Sequence, residues 1–259
     1  MPTKTLKTKE EIDLISQSCE ILSRTLGEVV NATKPGVTLL ELDKLAEEFI
    51  LDNNAIPACK GYEGYPNTLC LSVNDKVVHG IPNNYVLKEG DIISIDGCVK
   101  YKGFCSDATY TIAIGEISDN VKRMLQVGEE SLYDGIRQCT THNRLGDIGY
   151  AIEQKITNAG FFVIKQYSGH GIGRSIHEFP KVLNYGVRGH GEKIQNGLVL
   201  AIEPIIGETT GETKVLKNGW DVLMANGCMS AHFEHTVAVY NDEPHILTTF
   251  KYCKKNYER

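Results

Sequence analysis

The chain has 259 residues, of which 41% are hydrophobic and 23% are charged, a composition typical of a globular enzyme with one large core or two smaller ones. Its net charge of −6 argues against nucleic acid or an anionic membrane as the main partner. No stretch approaches the roughly 18 apolar residues of a membrane span, and the charged start is followed by no apolar segment. We therefore expect no transmembrane helix and no signal peptide.

Two capping boxes predict the first helices. Thr8-x-x-Glu11 begins a helix that should run to about residue 30, and Thr38-x-x-Glu41 begins a second that should end near residue 53. Two further helices are expected at about 118–138 and 145–158. Strand-like segments at about 68–73, 91–95 and 107–114, and a strand-rich region over 161–240, complete a mixed α/β (α+β) chain.

The two halves of the sequence resemble each other. Gly90 precedes Asp96 by six residues, and Gly197 precedes Glu203 by six residues. Two further motifs recur, Asp107-x-Thr109 as Glu234-x-Thr236 and His79-Gly80-Ile81 as His170-Gly171-Ile172. We expect a single domain over residues 1–259 with an internal duplication, about 38–115 and 145–241, whose copies share one centre. The alternative is chance similarity between ordinary α/β segments.

Four carboxylates lie in or beside apolar runs where charge is normally excluded, namely Asp96, Asp107, Glu203 and Glu234. Burying a bare carboxylate is costly unless it is paired or coordinates a metal. Each one alone could face solvent from an edge strand. The set of four, together with His170 in a glycine-rich turn that could also be merely structural, argues for a buried cation centre.

The hairpin between Asp96 and Asp107 predicts how the first two carboxylates meet. A turn centred between Tyr101 and Lys102 pairs residues whose numbers sum to 203, which makes Asp96 and Asp107 direct cross-strand partners. Like charges at such positions repel each other, and a divalent cation between them would remove the repulsion.

Four carboxylates and one imidazole are too many ligands for one structural zinc ion. They suit two ions that share bridging carboxylates, and their oxygen-rich set favours Mn, Fe(II) or Co. A water molecule between two such ions is acidic enough to supply hydroxide near neutral pH. His79 and His177 could orient a substrate or stabilise an oxyanion, although each could equally be a structural histidine.

The eight cysteines contain no Cys-x-x-Cys pair, and a chain of this size needs no disulfides to fold. We expect them to be reduced thiols in a cytosolic protein.

Several motifs carry a family resemblance in combination. They are Cys59-Lys60-Gly61-Tyr62 with Tyr65-Pro66, Cys70-x-Ser72-x-Asn74, His79-Gly80-Ile81-Pro82, Gly169-His170-Gly171-Ile172-Gly173 before His177-Glu178, and Glu203-Pro204. Over nearly the whole chain the sequence resembles methionine aminopeptidase of peptidase family M24. The short spacing between His170 and Glu203 resembles the bacterial-type type I branch, because it leaves no room for the helical insert of type II.

The resemblance implies the pita-bread fold, a pseudo-two-fold curved antiparallel sheet with helices on its outer face that cradles two metal ions. It implies Asp96, Asp107, His170, Glu203 and Glu234 as ligands, with Asp107 and Glu234 bridging. It further implies Glu203 as general base and His79 and His177 as substrate contacts. The methionine side chain would occupy a pocket formed by Cys59, Tyr62, Tyr65, Cys70 and Trp220.

The resemblance also implies the cofactors and partners. The cofactors would be two divalent ions, Co, Mn or Fe(II), with Zn and Ni as further candidates. The substrates would be N-terminal Met-peptides and nascent chains with a small second residue. We expect a monomer that requires neither nucleic acid nor a membrane, and the sequence leaves association with ribosomes open.

The chain departs from the family pattern at Ile176, where many relatives have an aromatic residue, at Gly97-Cys98 and at Cys228-Met229. These changes could alter the shape of the pocket or its response to inhibitors. Two alternative functions stay open. One is an Xaa-Pro peptidase or creatinase-like enzyme, which usually has an extra N-terminal domain that 259 residues would not accommodate. The other is a non-catalytic binding protein of this fold, which would be expected to lose ligands.

Overall fold

The computed structural model describes residues 4–253 of the chain. Residues 1–3, which begin the segment considered above for a signal peptide, lie outside this range. The described helices are α1 (Lys9–Ala32), α2 (Leu39–Asp52), α3 (Asp119–Ile136) and α4 (Leu145–Asn158). The described strands are β1 (Ile56–Pro57), β2 (Leu69–Val73), β3 (Lys76–Val78), β4 (Ile92–Tyr101), β5 (Phe104–Ala113), β6 (Phe162–Val163), β7 (Ser168–Gly171), β8 (Glu178–Leu183), β9 (Val199–Ile202), β10 (Ile205–Gly207), β11 (Thr213–Val215), β12 (Val222–Met224), β13 (Ser230–His232), β14 (His235–Tyr240) and β15 (Glu243–Ile246).

Both predicted capping boxes are confirmed. The Thr8 hydroxyl accepts a hydrogen bond from the Glu11 N–H at 3.3 Å, and the Glu11 carboxylate accepts one from the Thr8 N–H at 3.1 Å. Thr38 and Glu41 make the same reciprocal pair at the start of α2. These bonds satisfy backbone donors that a helix leaves unpaired in its first turn, and so they set where α1 and α2 begin.

The first sheet surrounds the long strand β4, which pairs with β1, β2 and β5. The strand is longer than the predicted segment at 91–95, so Asp96 lies within it and not at its end. Gly97 follows Asp96, and a Cβ atom there would lie 2.8 Å from the Leu69 side chain. Glycine therefore lets β2 and α1 pack closely over the middle of β4.

The second large sheet has the strand order β15-β14-β9-β7-β8. It meets the first sheet at an antiparallel bridge between Thr109 of β5 and Glu234, where the Glu234 N–H donates to the Thr109 carbonyl at 2.9 Å. The helices pack against these strands, with α1 on β4 and β5 and with α3 and α4 against each other. The bridge brings the acidic segments of the two halves together.

The predicted hairpin register is wrong by two residues. Tyr101 pairs with Phe104, so Lys102 and Gly103 form the turn, and both have positive φ, 48° and 85°. A two-residue hairpin turn favours positive φ at both positions because its twist then matches that of the strands, and glycine supplies this readily. Asp96 consequently pairs with Thr109.

Asp107 pairs instead with Cys98. A shift of two preserves the alternation of side chains, so Asp96 and Asp107 still share one face of the sheet. They are diagonal neighbours and not direct partners, at a typical separation of about 7–8 Å.

The apolar interior has a main cluster between the helices and the two sheets, and a second cluster beside the site described below. The second cluster includes Cys59, Tyr65, Cys70 and Cys98, together with Ile176. All eight cysteines of the chain have free thiols. Within residues 4–253, no helix has both the length and the apolar character that crossing a bilayer requires.

Replacement of Gly103 by alanine tests the turn that sets the register. A Cβ atom at this position would meet nothing within 4 Å, so the expected cost is that of the left-handed backbone alone, about 1 kcal/mol of the free energy of unfolding. Gly103→Asn should cost less, because asparagine tolerates this conformation. Urea denaturation of both variants measures the difference, and equal stability of Gly103→Ala and the wild type would contradict the turn assignment.

Candidate metal centre

A cavity of about 530 Å³ opens between the two sheets. Every side chain predicted above for the site lines it, namely Cys59, Tyr62, Tyr65, Cys70, His79, Asp96, Asp107, His170, His177, Glu203, Trp220 and Glu234. These residues come from strands and loops of both halves, and their convergence places the predicted site in one cavity.

Two threonines connect the carboxylates of the two halves reciprocally. Thr109 Oγ1 donates a hydrogen bond to Glu234 Oε2 at 2.8 Å. Thr236 Oγ1 donates to the Asp107 carbonyl oxygen at 2.7 Å and accepts from the Asp107 N–H at 3.0 Å. Each threonine therefore holds the acidic residue of the other half, so that the two copies of the repeated motif bind each other.

His170 faces two of the carboxylates. Its Nε2 atom lies 3.6 Å from Asp107 Oδ2 and 3.6 Å from Glu203 Oε1, which is too long for a hydrogen bond. Its other nitrogen, Nδ1, lies 3.0 Å from the Gly171 carbonyl oxygen. A proton on Nδ1 that is donated to this carbonyl leaves the Nε2 lone pair free to bind a cation.

The electrostatics of three carboxylates are unfavourable without a cation. Burial raises the pKa of Asp107 well above its usual range, and the nearby Asp96 carboxylate raises it further. Burial raises the pKa of Glu234 in the same way, with Asp107 as the next cause. Burial also raises the pKa of Asp96. Negative charges at these positions repel each other in a poorly solvated space.

Glu203 differs from the other three. Burial pushes its pKa upward, but the nearby His232 and His170 imidazoles outweigh this and lower the pKa below the ordinary value. Burial lowers the pKa of His177 to about 4 and also lowers the pKa of His79. Near neutral pH the cavity therefore holds an ionised Glu203 together with the neutral imidazoles of His79 and His177.

The donor set fits a hard or borderline divalent cation. Ligand atoms of Asp107, His170 and Glu234 lie within 4.8 Å of one another, and all three residues are buried. Asp107 Oδ1 and Glu234 Oε1 are buried without a hydrogen-bond partner. Buried carboxylate oxygens are rarely left unsatisfied, so these orphaned atoms indicate a site for a positive ion.

The wall beside this centre combines sulfur and aromatic rings. Cys59 and Cys70 are buried, and Tyr65 packs edge-on against Trp220 with ring centroids 5.1 Å apart. The Tyr65 hydroxyl donates to the carbonyl oxygens of Leu69 and Gly80, which holds the ring in place. This side of the cavity suits a polarisable apolar side chain.

The divergent positions Ile176 and Cys98 also line the cavity. Cys98 is the cross-strand partner of Asp107. Two of the departures from the family pattern therefore form part of the pocket wall.

Two buried residues near the centre were missed in the sequence. His232 Nε2 lies 3.6 Å from Glu203 Oε2, and Asn184 Nδ2 donates to the Glu203 carbonyl oxygen at 2.9 Å. His232 precedes Glu234 by two residues, and strand periodicity could have placed both side chains on one face. Asn184 carries no comparable signal, because its approach to Glu203 depends on packing between distant segments.

The comparisons with known proteins agree with this geometry. The metallopeptidase family M24 matches residues 13–241. A methionine aminopeptidase of Clostridium perfringens is 45% identical over 246 residues, which are 95% of this chain and 99% of that protein. The crystal structure of methionine aminopeptidase from Rickettsia prowazekii superimposes with a TM-score of 0.94 at 35% identity, covering 95% of this chain and 100% of that one.

The chain therefore belongs to metallopeptidase family M24, whose members include metal-dependent hydrolases of the pita-bread fold. Within that family it belongs to the methionine aminopeptidases, as the resemblance in its motifs predicted. The prolidase of Pyrococcus horikoshii shares the fold at a TM-score of 0.77, but it is only 18% identical. The match covers 98% of this chain and 65% of the prolidase chain. The similarity to the Xaa-Pro enzymes is therefore one of fold alone.

The stabilisation of the fold by added Mn²⁺ tests whether Asp107 is a metal ligand. Mn²⁺ added to the chelated protein at about 100 times its dissociation constant should stabilise the fold by about 2.7 kcal/mol for each ion bound, because the ion binds only the folded state. Asp107→Asn should lose most of this stabilisation, whereas Asp52→Asn, at an exposed position, should retain it. Thermal denaturation with and without Mn²⁺ measures both effects, and an equal response from the two variants would exclude Asp107 as a ligand.

Proposed function

We propose that this chain removes the initiator methionine from nascent proteins and peptides by hydrolysis of the first peptide bond. The observation that supports this most strongly is a group of four carboxylates and an imidazole that line one cavity beside a pocket of sulfur and aromatic side chains. The first feature suits a hydrolytic metal centre, and the second suits a methionine side chain. Membership of the methionine aminopeptidases supports the same activity.

The ligands we propose are Asp96, Asp107, His170, Glu203 and Glu234, which would hold two divalent ions. Oxygen-rich ligation supports Mn, Fe(II) or Co, with Zn and Ni as further candidates. When bound, such ions supply Lewis-acid activation of water and of the scissile carbonyl.

The side chains around the ions would handle protons and charge. Glu203, ionised near neutral pH, takes a proton from the attacking water. His177 donates a hydrogen bond to the developing oxyanion. The Tyr62 hydroxyl lies 2.8 Å from His177 Nδ1, and a hydrogen bond from this hydroxyl would leave Nε2–H as the donor toward the substrate. His79 hydrogen-bonds the scissile amide, and the proton taken up by Glu203 is passed to the amide nitrogen, which departs as the amine.

The methionine side chain would lie against Cys59, Tyr62, Tyr65, Cys70 and Trp220. Sulfur–aromatic contacts of this kind stabilise by about 0.3–1.5 kcal/mol each. Beyond this pocket we expect little space for the second residue, so that a small side chain is required there.

The setting of the reaction follows from the proposed substrates. The enzyme would act in the cytoplasm as a monomer on chains that emerge from the ribosome. We also propose that residues of about 38–115 and 145–241 arose by duplication. Each range begins with a helix, α2 or α4, that is followed by strands and preceded by a further helix, α1 or α3. This repeated order and the reciprocal bonds of Thr109 and Thr236 support the duplication.

Two peptides test the proposed specificity. Met-Ala-Ser should release methionine much faster than Met-Lys-Ser, because the lysine side chain does not fit beside the metal centre. Release of free methionine under single-turnover and steady-state conditions measures the ratio. Equal rates for the two peptides would contradict the requirement for a small second residue. Faster cleavage of an Xaa-Pro dipeptide such as Ala-Pro would instead favour the Xaa-Pro peptidase alternative.

A further inference from the structure

The backbone of the loop that carries His177 is held by hydrogen bonds to the next residue, Glu178. This loop, residues 172–177, connects β7 to β8, and Glu178 is the first residue of β8. Glu178 Oε1 accepts hydrogen bonds from the Arg174 N–H at 2.8 Å and from the Ser175 N–H at 3.3 Å. One carboxylate oxygen thus fixes the backbone of the His177 loop.

The other carboxylate oxygen of Glu178 pairs with a lysine that is distant in the sequence. Lys7 Nζ lies 2.5 Å from Glu178 Oε2, and the two side chains are only 3% and 13% exposed. Lys7 Nζ also donates to the Thr5 carbonyl oxygen at 2.9 Å. An ion pair shielded from water to this degree is strongly coupled, because loss of either partner leaves a buried charge.

The backbone of Lys7 is fixed independently of this pair. Its N–H donates to the Gly197 carbonyl oxygen at 2.7 Å, and the Gly197 N–H donates to the Val239 carbonyl oxygen at 2.8 Å. Lys7 also lies directly against the His177 loop, since a Cβ atom at Gly173 would be 2.4 Å from Lys7 Cε. The lysine therefore connects the loop to a rigid part of the second sheet.

The position of His177 depends on this anchor. Its ring centroid lies 4.3 Å from that of His170, and its Nδ1 lies 2.8 Å from the Tyr62 hydroxyl. The Glu178 carboxylate accepts hydrogen bonds from two amides of the loop that ends at His177, so loss of its position would release the backbone that carries His177. A displacement of about 1 Å at a reacting group can cost as much as 10²-fold in rate.

We propose that Lys7 is a positioning residue, which acts through Glu178 to hold the imidazole of His177 at the site of the developing oxyanion. The proposal rests on the function proposed above for His177. The N-terminal segment before α1 would thereby contribute to turnover without contacting the substrate or the metal centre.

A double-mutant cycle tests the proposal in the full chain loaded with Mn²⁺. Lys7→Met should lower kcat for Met-Ala-Ser roughly tenfold with little change in KM, because the lost interaction belongs to the transition state. In the His177→Ala background the same substitution should lower kcat by less than about twofold, since the effects of substituting residues that act as a unit are not additive.

Two control variants accompany the cycle. Lys7→Arg should retain more activity than Lys7→Met, and Lys9→Met, at an exposed lysine, should behave like the wild type.

Two further measurements separate positioning from folding. The Mn²⁺ content of Lys7→Met should equal that of the wild type. Amide hydrogen exchange in residues 172–177 should accelerate in Lys7→Met and not in Lys9→Met. If Lys7→Met fails to fold, Glu178→Gln takes its place, because it keeps an acceptor for the loop amides and removes the charge. It should also lower kcat and accelerate exchange in the loop.

The outcomes distinguish this proposal from the proposed function. An equal loss of kcat in both backgrounds of the cycle, or unchanged exchange in the loop, would overturn the role of Lys7. A wild-type chain that releases no methionine from Met-Ala-Ser would overturn the proposed function, and the exchange measurement would still decide whether Lys7 orders the His177 loop.

Discussion

The repulsion among four carboxylates, of which Asp107 and Glu234 are buried and Asp96 and Glu203 are half-buried, is the constraint on which the rest of this structure depends. Burial alone raises the pKa of Asp107 and Glu234, and their proximity adds to the cost. Two of their oxygens have no hydrogen-bond partner. Because this arrangement destabilises the fold, a compensating positive charge is required, and a divalent metal centre provides it. The bridge between the two sheets lies at this same point, so the centre also connects the halves of the molecule.

The cavity separates two kinds of chemistry over a short distance. Oxygen and imidazole ligands form one side, where they favour hard or borderline ions. Thiols and aromatic rings form the other side, where Cys59, Cys70 and Cys98 are buried among apolar neighbours. A hydrogen bond with Cys59 lowers the pKa of the Cys98 thiol, but burial and the nearby Asp107 carboxylate outweigh it and raise the pKa, which keeps the thiol protonated near neutral pH. The sulfur side therefore acts as an apolar wall and leaves the metal to the carboxylates.

Much of this could be predicted from the sequence because the signals are local. Capping boxes depend on residues three positions apart, and both helices that they predicted begin where expected. Carboxylates within apolar runs are conspicuous, and all four lie in one cavity. The hairpin register was wrong because Tyr-Lys was chosen as the turn, whereas Gly103 accommodates the positive φ that the turn requires. The prediction that Asp96 and Asp107 share one face of the sheet is nevertheless correct, because the register error was an even number of residues.

The remaining features depend on contacts that no local pattern encodes. Asn184 reaches the Glu203 backbone, and Lys7 reaches Glu178, across segments that only the folded chain brings together. Strand alternation could have placed His232 on the same face as Glu234, but a histidine in a short strand is not distinctive enough to be identified as a site residue by that pattern alone. Sequence patterns thus indicated the groups that bind and react, while the residues that hold them in position required the structure.

Anomalous diffraction from crystals of this protein grown with Mn²⁺ or Co²⁺ tests the central claim most directly, because it reports the number, position and identity of the ions together. We expect two peaks enclosed by the side chains of Asp96, Asp107, His170, Glu203 and Glu234. A single peak within this group would contradict the two-ion centre. The absence of any peak there would contradict the metal centre itself.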